Sequence, residues 1–143
     1  MRSITLILCL VFTSSQLCAK TSNQSKINIS NNDIKCVAET IYSEARGESL
    51  VGQLAIGATI VTRSKKIFHK PACSIIFQQY TQRKIPLNDK NQFLLLAKKI
   101  LYGETSNPIN DMYSFDSFKG RYSKRPKHAI KIGGHWFYKA LKV

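Results

Sequence analysis

The run Ser43-Glu44-Ala45-Arg46-Gly47-Glu48-Ser49-Leu50-Val51-Gly52-Gln53 sets two carboxylates and an arginine where one helix must end and another begin. Only eight acidic residues occur in the whole chain, so two of them among apolar neighbours constrain the fold strongly. Val37, Ile41, Glu44 and Glu48 recur at i, i+4, i+7 and i+11, which makes one stripe on a helix. Glu44 therefore continues the face that packs inward. A carboxyl on a half-buried apolar stripe loses solvation of its charged form, which raises its pKa towards that of a usable proton donor.

A helix carrying Ile34, Val37, Ala38, Ile41 and Ala45 is expected to start from a cap at Asn32 or Asp33, with Gly47 in the left-handed position that stops it. Ser49 then caps a second helix, in which Val51, Leu54, Ala55, Ala58 and Val61 keep helical spacing up to a basic turn at Arg63 to Lys66. Phe68 to Pro71 reads as a loop, and Cys73 to Tyr80 as a short apolar segment of either type. A third helix runs from Asn88 or Asp89 to Tyr102, with Gly103 beyond its end. From Glu104 to Pro126 the periodicity fails. There Tyr113, Phe115, Phe118 and Tyr122 are spread through polar sequence, as in the irregular wall of a cleft. Ile130 to Tyr138 closes the domain, with a turn at Gly133-Gly134. At 143 residues this is a single domain, predominantly helical with a little sheet, and so of the α+β class.

Residues 1–19 read as an export signal: Arg2, then the apolar run Ile4 to Phe12, then Leu17-Cys18-Ala19 before Lys20. The apolar run is too short to cross a bilayer, so no stable membrane span is expected after cleavage. Residues 20–32 read as a flexible leader and 33–143 as the folded domain. Processing leaves 21 basic residues against 8 acidic ones, a net charge of +13. It also leaves only Cys36 and Cys73, which in an exported chain most simply form a disulfide; a pair of free buried thiols is the other reading. The charge suits the anionic polymers of a cell envelope. Nucleic acid is disfavoured, because the basic residues are dispersed, no recognition motif is present and the signal exports the chain. His69, His128 and His135 match no metal-ligand spacing, so no metal and no cofactor is expected.

Cys36 to Ala38, Ile41 to Ser49, Gly52 to Ile56, Cys73 to Gln78 and Ile132 to Tyr138 together, in order and spacing, resemble the SleB-type bacterial cell-wall hydrolases. The likeness covers Ile34 to Tyr138. It implies a lysozyme-like domain acting on peptidoglycan, with Glu44 as the catalytic acid. In that family, enzymes of the spore cortex are lytic transglycosylases, which cut between N-acetylmuramic acid and N-acetylglucosamine without consuming water. One acid suffices for such chemistry, whereas a hydrolase ordinarily needs a second carboxylate. The runner-up readings are a hydrolytic muramidase or amidase, and a non-catalytic wall-binding relative. A regulatory protein is an open possibility in each case.

Around Glu44 each candidate carries two readings. Glu48 is structural or orients the substrate. Arg46 neutralises Glu48 or the helix dipole, or touches substrate. Gln53 is an exposed helix glutamine or holds a sugar amide. Tyr113 and Phe115 are core residues or stack on sugar rings. His135 is a buried, backbone-bonded histidine or part of the cleft wall. Two stretches depart from the family pattern. Gln78 to Arg83 lacks the aromatic pair found there in members, and Lys119 to Lys127 is basic where groove residues are expected.

Overall fold

The computed structural model describes residues 28–80, 82–117, 126 and 128–139. The expected export signal and most of the expected leader lie outside the described residues, as do Phe118, Tyr122 and all of the basic stretch 119–127 except Pro126.

Helix α1 (Asn31–Ala45) opens on a reciprocal cap: Ser30 Oγ accepts from the Asp33 N–H at 3.1 Å, and Asp33 Oδ2 accepts from the Ser30 N–H at 3.0 Å. The sequence reading put the cap at Asn32 or Asp33. The helix instead starts earlier, because Ser30 and Asp33 are three residues apart, the spacing this exchange requires.

Asp33 also fastens a second helix. Its Oδ1 accepts from the Cys73 N–H at 3.0 Å, at the start of α3 (Ala72–Gln79), whose own capping position is Pro71 and supplies no side-chain acceptor. The Cys36–Cys73 disulfide, with Cα atoms 5.3 Å apart, ties the same two helix starts. Cys73 to Tyr80, left open by the sequence, is thus helical up to Gln79.

Helix α2 (Leu50–Thr62) is capped by Ser49 Oγ, which accepts from the Gly52 N–H at 3.4 Å. It is buried on nearly every side, as an almost entirely apolar helix must be. Helix α4 (Leu87–Tyr102) packs across α1 and α2 and ends on Gly103 at φ 75°. Gly57 permits this approach: a Cβ there would lie 2.6 Å from Ile100 Cδ1. Ile41, Ile56, Ile60, Ile76, Ile109 and Phe137 are fully buried between these layers. Each contributes about 2–3 kcal/mol of gross burial energy.

Two expected helix endings are corrected. Gly47 is not left-handed; the chain leaves α1 through Arg46 in ordinary helical geometry, and the Glu48 N–H reaches back to the Ala45 carbonyl at 3.0 Å. Nor do Arg63 to Lys66 form an exposed basic turn. The backbone continues from α2 into a wider, π-wound segment, Arg63–Phe68, which ends at left-handed His69 and buries Arg63 and Ser64.

Strands β1 (Ser114–Asp116), β2 (Ile130–Ile132) and β3 (His135–Tyr138) form an antiparallel sheet in the order β1-β3-β2, with Gly133-Gly134 turning the β2–β3 hairpin. The α+β, predominantly helical class expected from the sequence is the class observed. Within the described part of the irregular wall expected from Glu104 to Pro126, Ser114–Asp116 form an edge strand, while 104–113, Ser117 and Pro126 are irregular.

Burial alone would raise the Asp33 pKa. Hydrogen bonds from the Cys73 N–H, the Ser30 hydroxyl and N–H and the Ala72 N–H outweigh it and hold the carboxyl below its ordinary value of 3.8. Its stabilising contribution is therefore complete above pH 3.8 and is lost as pH falls through the lower folded value. Asp33→Asn is expected to cost about 1–3 kcal/mol at neutral pH. In urea denaturation the gap between variant and wild type should close as the pH is taken below 3.8; a gap independent of pH would exclude the charged cap.

Candidate active site

Glu44 lies in the last turn of α1, half-buried beside the sheet. Burial raises its pKa above the ordinary 4.5, while the nearby His135 and Arg83 pull the other way without cancelling that effect. The helical stripe predicted this environment, and the carboxyl has it.

A clamp holds the β2–β3 hairpin to the chain four residues beyond Glu44. Glu48 Oε1 accepts from the Gly134 N–H at 3.1 Å, and the same oxygen stands 3.9 Å from His135 Nδ1. Glu48 lies beyond the end of α1, in the α1–α2 connection, so it is not the next member of Glu44's helical stripe. Gln53 is buried rather than exposed, and its Nε2 donates to the Glu48 carbonyl at 3.2 Å, bracing the connection from α2. Gly133 is left-handed at φ 58°, and a Cβ on it would fall 1.9 Å from Glu48 Oε2.

Alternation along the strands puts Phe115, His135 and Phe137 on one face of the sheet and Asp116 and Trp136 on the other. The Phe115 ring lies edge-on to His135 at 5.4 Å and nearly parallel to Tyr80 at 5.6 Å, so the three rings build a continuous wall. Tyr80, at the end of α3, accepts on its hydroxyl from Arg63 Nη1 at 2.9 Å. Burial raises the Tyr80 pKa; the Arg63 charge and hydrogen bond oppose this, and the charge of Glu44 adds to the rise. The phenol therefore keeps its proton and remains a donor. Arg63 also donates through Nε to the Tyr113 carbonyl and through Nη2 to Ser114 Oγ at 3.4 Å, which anchors the start of β1.

Of the residues singled out from sequence, Glu44, Glu48, Gln53, Phe115 and His135 come together. Tyr113 contributes its backbone, through the Arg63 contact and an N–H donated to the Tyr138 carbonyl at 3.3 Å. Arg46 is exposed and turned onto the Tyr42 ring, 5.4 Å from its centroid. Sequence reasoning missed Arg63, Tyr80 and Arg83. A signal existed for the first: Ile56, Ile60 and Arg63 follow the same i, i+4, i+7 rule that exposed Glu44. Among the described residues no cluster of three or more His, Cys, Asp or Glu side chains is disposed to hold a metal ion.

No protein-family model matches the chain. Over 50 residues, 34% of this chain, it is 44% identical to the spore cortex-lytic enzyme of Bacillus subtilis (strain 168). Over another 50-residue match it is 42% identical to that of Halalkalibacterium halodurans. These spans amount to only 16% and 15% of the two relatives. The catalytic domain of the germination-specific lytic transglycosylase SleB from Bacillus anthracis superposes with a TM-score of 0.54 at 30% identity, over 79% of this chain and 98% of that domain. The chain belongs to the SleB-type cell-wall hydrolase family. The catalytic domain of the Bacillus cereus SleB protein matches with a TM-score of 0.50 at 27% identity, covering 82% and 97% of the two chains. This SleB-type domain thus shares its small sheet and helical layers with whole catalytic domains, and the family resemblance read from Ile34 to Tyr138 holds.

Gly133→Ala should cost about 1–3 kcal/mol, from left-handed backbone strain together with collision against Glu48. In a Glu48→Ala background the collision disappears and only the backbone part, about 1 kcal/mol, should remain. A urea double-mutant cycle measures the difference; equal costs in both backgrounds would show that Glu48 does not set the hairpin.

Proposed function

We propose that the chain cleaves peptidoglycan as a lytic transglycosylase, cutting between N-acetylmuramic acid and N-acetylglucosamine with Glu44 as general acid and then general base. The observation that carries this reading is a half-buried carboxyl with a raised pKa, beside a wall of aromatic rings, in a chain of the SleB family. The name of the Bacillus anthracis domain, a germination-specific lytic transglycosylase, supports it.

In the first step the protonated Glu44 gives its proton to the bridging oxygen as the muramyl C1–O bond breaks. The resulting carboxylate takes the proton of the muramyl C6 hydroxyl while that oxygen closes on C1 to form the 1,6-anhydro ring. The proton borrowed from Glu44 is thereby returned, and no water is consumed. The stacked Tyr80 and Phe115 rings, with His135 edge-on behind them, give an aromatic wall against which a sugar can pack, and the Tyr80 hydroxyl, held by Arg63, is a fixed donor there.

The placement of five of the seven other carboxylates supports this reading over hydrolysis, which ordinarily needs a second one. Asp33 is engaged as a cap, Glu39 with Lys35, Glu48 with the hairpin and Asp111 with Lys66. Asp116 lies on the sheet face opposite Phe115 and His135. Export to the cell envelope, with the 1–19 segment as signal, belongs to the same proposal. No helix among the described residues is long and apolar enough to cross a membrane.

Glu44→Gln should abolish release of soluble fragments from peptidoglycan. Because the folded pKa is raised above 4.5, the favourable protonated state is lost as pH rises through it, and the charged carboxyl is a burden at pH 7. The variant's thermal midpoint should therefore be unchanged or slightly higher at that pH. Wild-type cleavage should decline as pH rises through the same raised value. Mass spectrometry of the fragments decides the chemistry. 1,6-anhydromuramyl ends from wild type alone support it; reducing ends, or full activity in the variant, would overturn it.

A further inference from the structure

We propose that the outward face of α4, together with the first turns of α1, is a docking surface for an anionic lipid bilayer. On α4, Leu87, Leu95, Lys98 and Tyr102 fall at i, i+8, i+11 and i+15, one stripe pointing away from Phe93, Leu96 and Ile100 in the core, with Leu94 partly buried at its edge. Three of its apolar members are bared to an unusual degree: Leu87 is 84% exposed, Leu95 55% and Tyr102 52%. A lone exposed apolar side chain needs no explanation, but two leucines and a tyrosine in register along one helix do.

Cations edge the stripe. Lys90, Lys98 and Lys99 are exposed on α4, and no exposed residue of that helix is acidic. Beside it runs a groove of about 500 Å³, formed by Lys90, Leu94, Leu95 and Lys98 of α4 with Ile34 and Lys35 of α1. The carboxylate of Glu39, 3.9 Å from Lys35, is largely withdrawn, its side chain only 16% exposed. Leucines standing out from a rim of lysines match the boundary between headgroups and acyl chains: the apolar side chains enter it while the lysine stems reach back to the phosphates. Charge complementarity favours an anionic leaflet. A soluble polyanion satisfies the lysines and leaves Leu87 and Leu95 in water, which is why lipid is the better occupant.

The groove meets α1 at Ile34, ten residues before Glu44 and thus about 15 Å away along the helix. Docking there leaves the Glu44 cleft free, and the proposal does not depend on the reaction assigned to that cleft.

The test is co-sedimentation with phosphatidylglycerol and phosphatidylcholine vesicles, using the chain from Lys20. That chain retains every described element and removes the apolar run Ile4 to Phe12, which would itself partition into lipid. Wild type should bind the anionic vesicles at low salt and the neutral ones far more weakly. Lys90→Gln/Lys98→Gln should weaken anionic binding roughly tenfold to thirtyfold, and Leu87→Ser/Leu95→Ser roughly tenfold. All four positions are exposed, and circular dichroism checks that both variants remain folded. Absence of wild-type binding, or variants that bind as wild type does, would overturn the proposal. So would loss on removing lysines but not leucines, since that result marks a polyanion site instead.

Discussion

The contact on which the site depends is the one between the Glu48 carboxylate and the Gly134 backbone N–H. It joins the α1–α2 connection to the β2–β3 hairpin, two pieces of chain far apart in sequence. Through the hairpin it fixes His135, and through His135 the wall against which Glu44 is half-buried. Nothing larger than hydrogen fits at Gly133 while Glu48 occupies that space. The paired glycines and the second glutamate are therefore one device. Of the two readings the sequence left for Glu48, the structural one describes its contacts: its carboxylate holds the hairpin beside Glu44.

A second support comes from the far end of α2. Had the helix ended at Thr62 in an exposed basic turn, Arg63 would have faced water. The π-wound continuation carries it instead into the interior, where it meets the Tyr80 hydroxyl, the Tyr113 carbonyl and Ser114. One guanidinium thus connects α2, α3 and β1, and its rigid fork of donors suits three differently placed acceptors. The raised pKa of Tyr80 follows mainly from the burial this arrangement imposes.

Much of this was legible in the sequence wherever one periodicity governed. The α1 stripe located Glu44, Ser49 announced α2, and Gly103 and the glycine pair at 133–134 marked a helix end and a turn. Failures came where a local signal was outweighed by a tertiary one. Gly47 has the residue type of a left-handed cap but is not used as one, because the Glu48 N–H closes the end of α1 on the Ala45 carbonyl instead. The cluster Arg63 to Lys66 has the composition of a turn, yet tertiary acceptors paid for burying its first member. Tyr80 carried no local mark at all, since its role is set by Arg63, 17 residues earlier, and by Phe115 on the edge strand.

The charge of the chain makes the state of Glu44 a matter of competing magnitudes. The net charge of +14 over the full sequence favours the charged form of any carboxylate and pulls its pKa down. Among the described residues most cations are exposed and act through water, so their effect is screened beyond roughly 10 Å at ordinary ionic strength. Desolvation acts on the carboxyl itself and is not screened. That is why burial prevails over His135 and Arg83 together, and why a strongly basic protein can still hold one carboxyl above its ordinary pKa. It also explains the value of placing Glu44 on a helix stripe rather than a loop: only a position fixed by the packing of α1 holds the group partly out of water in an otherwise cationic surface.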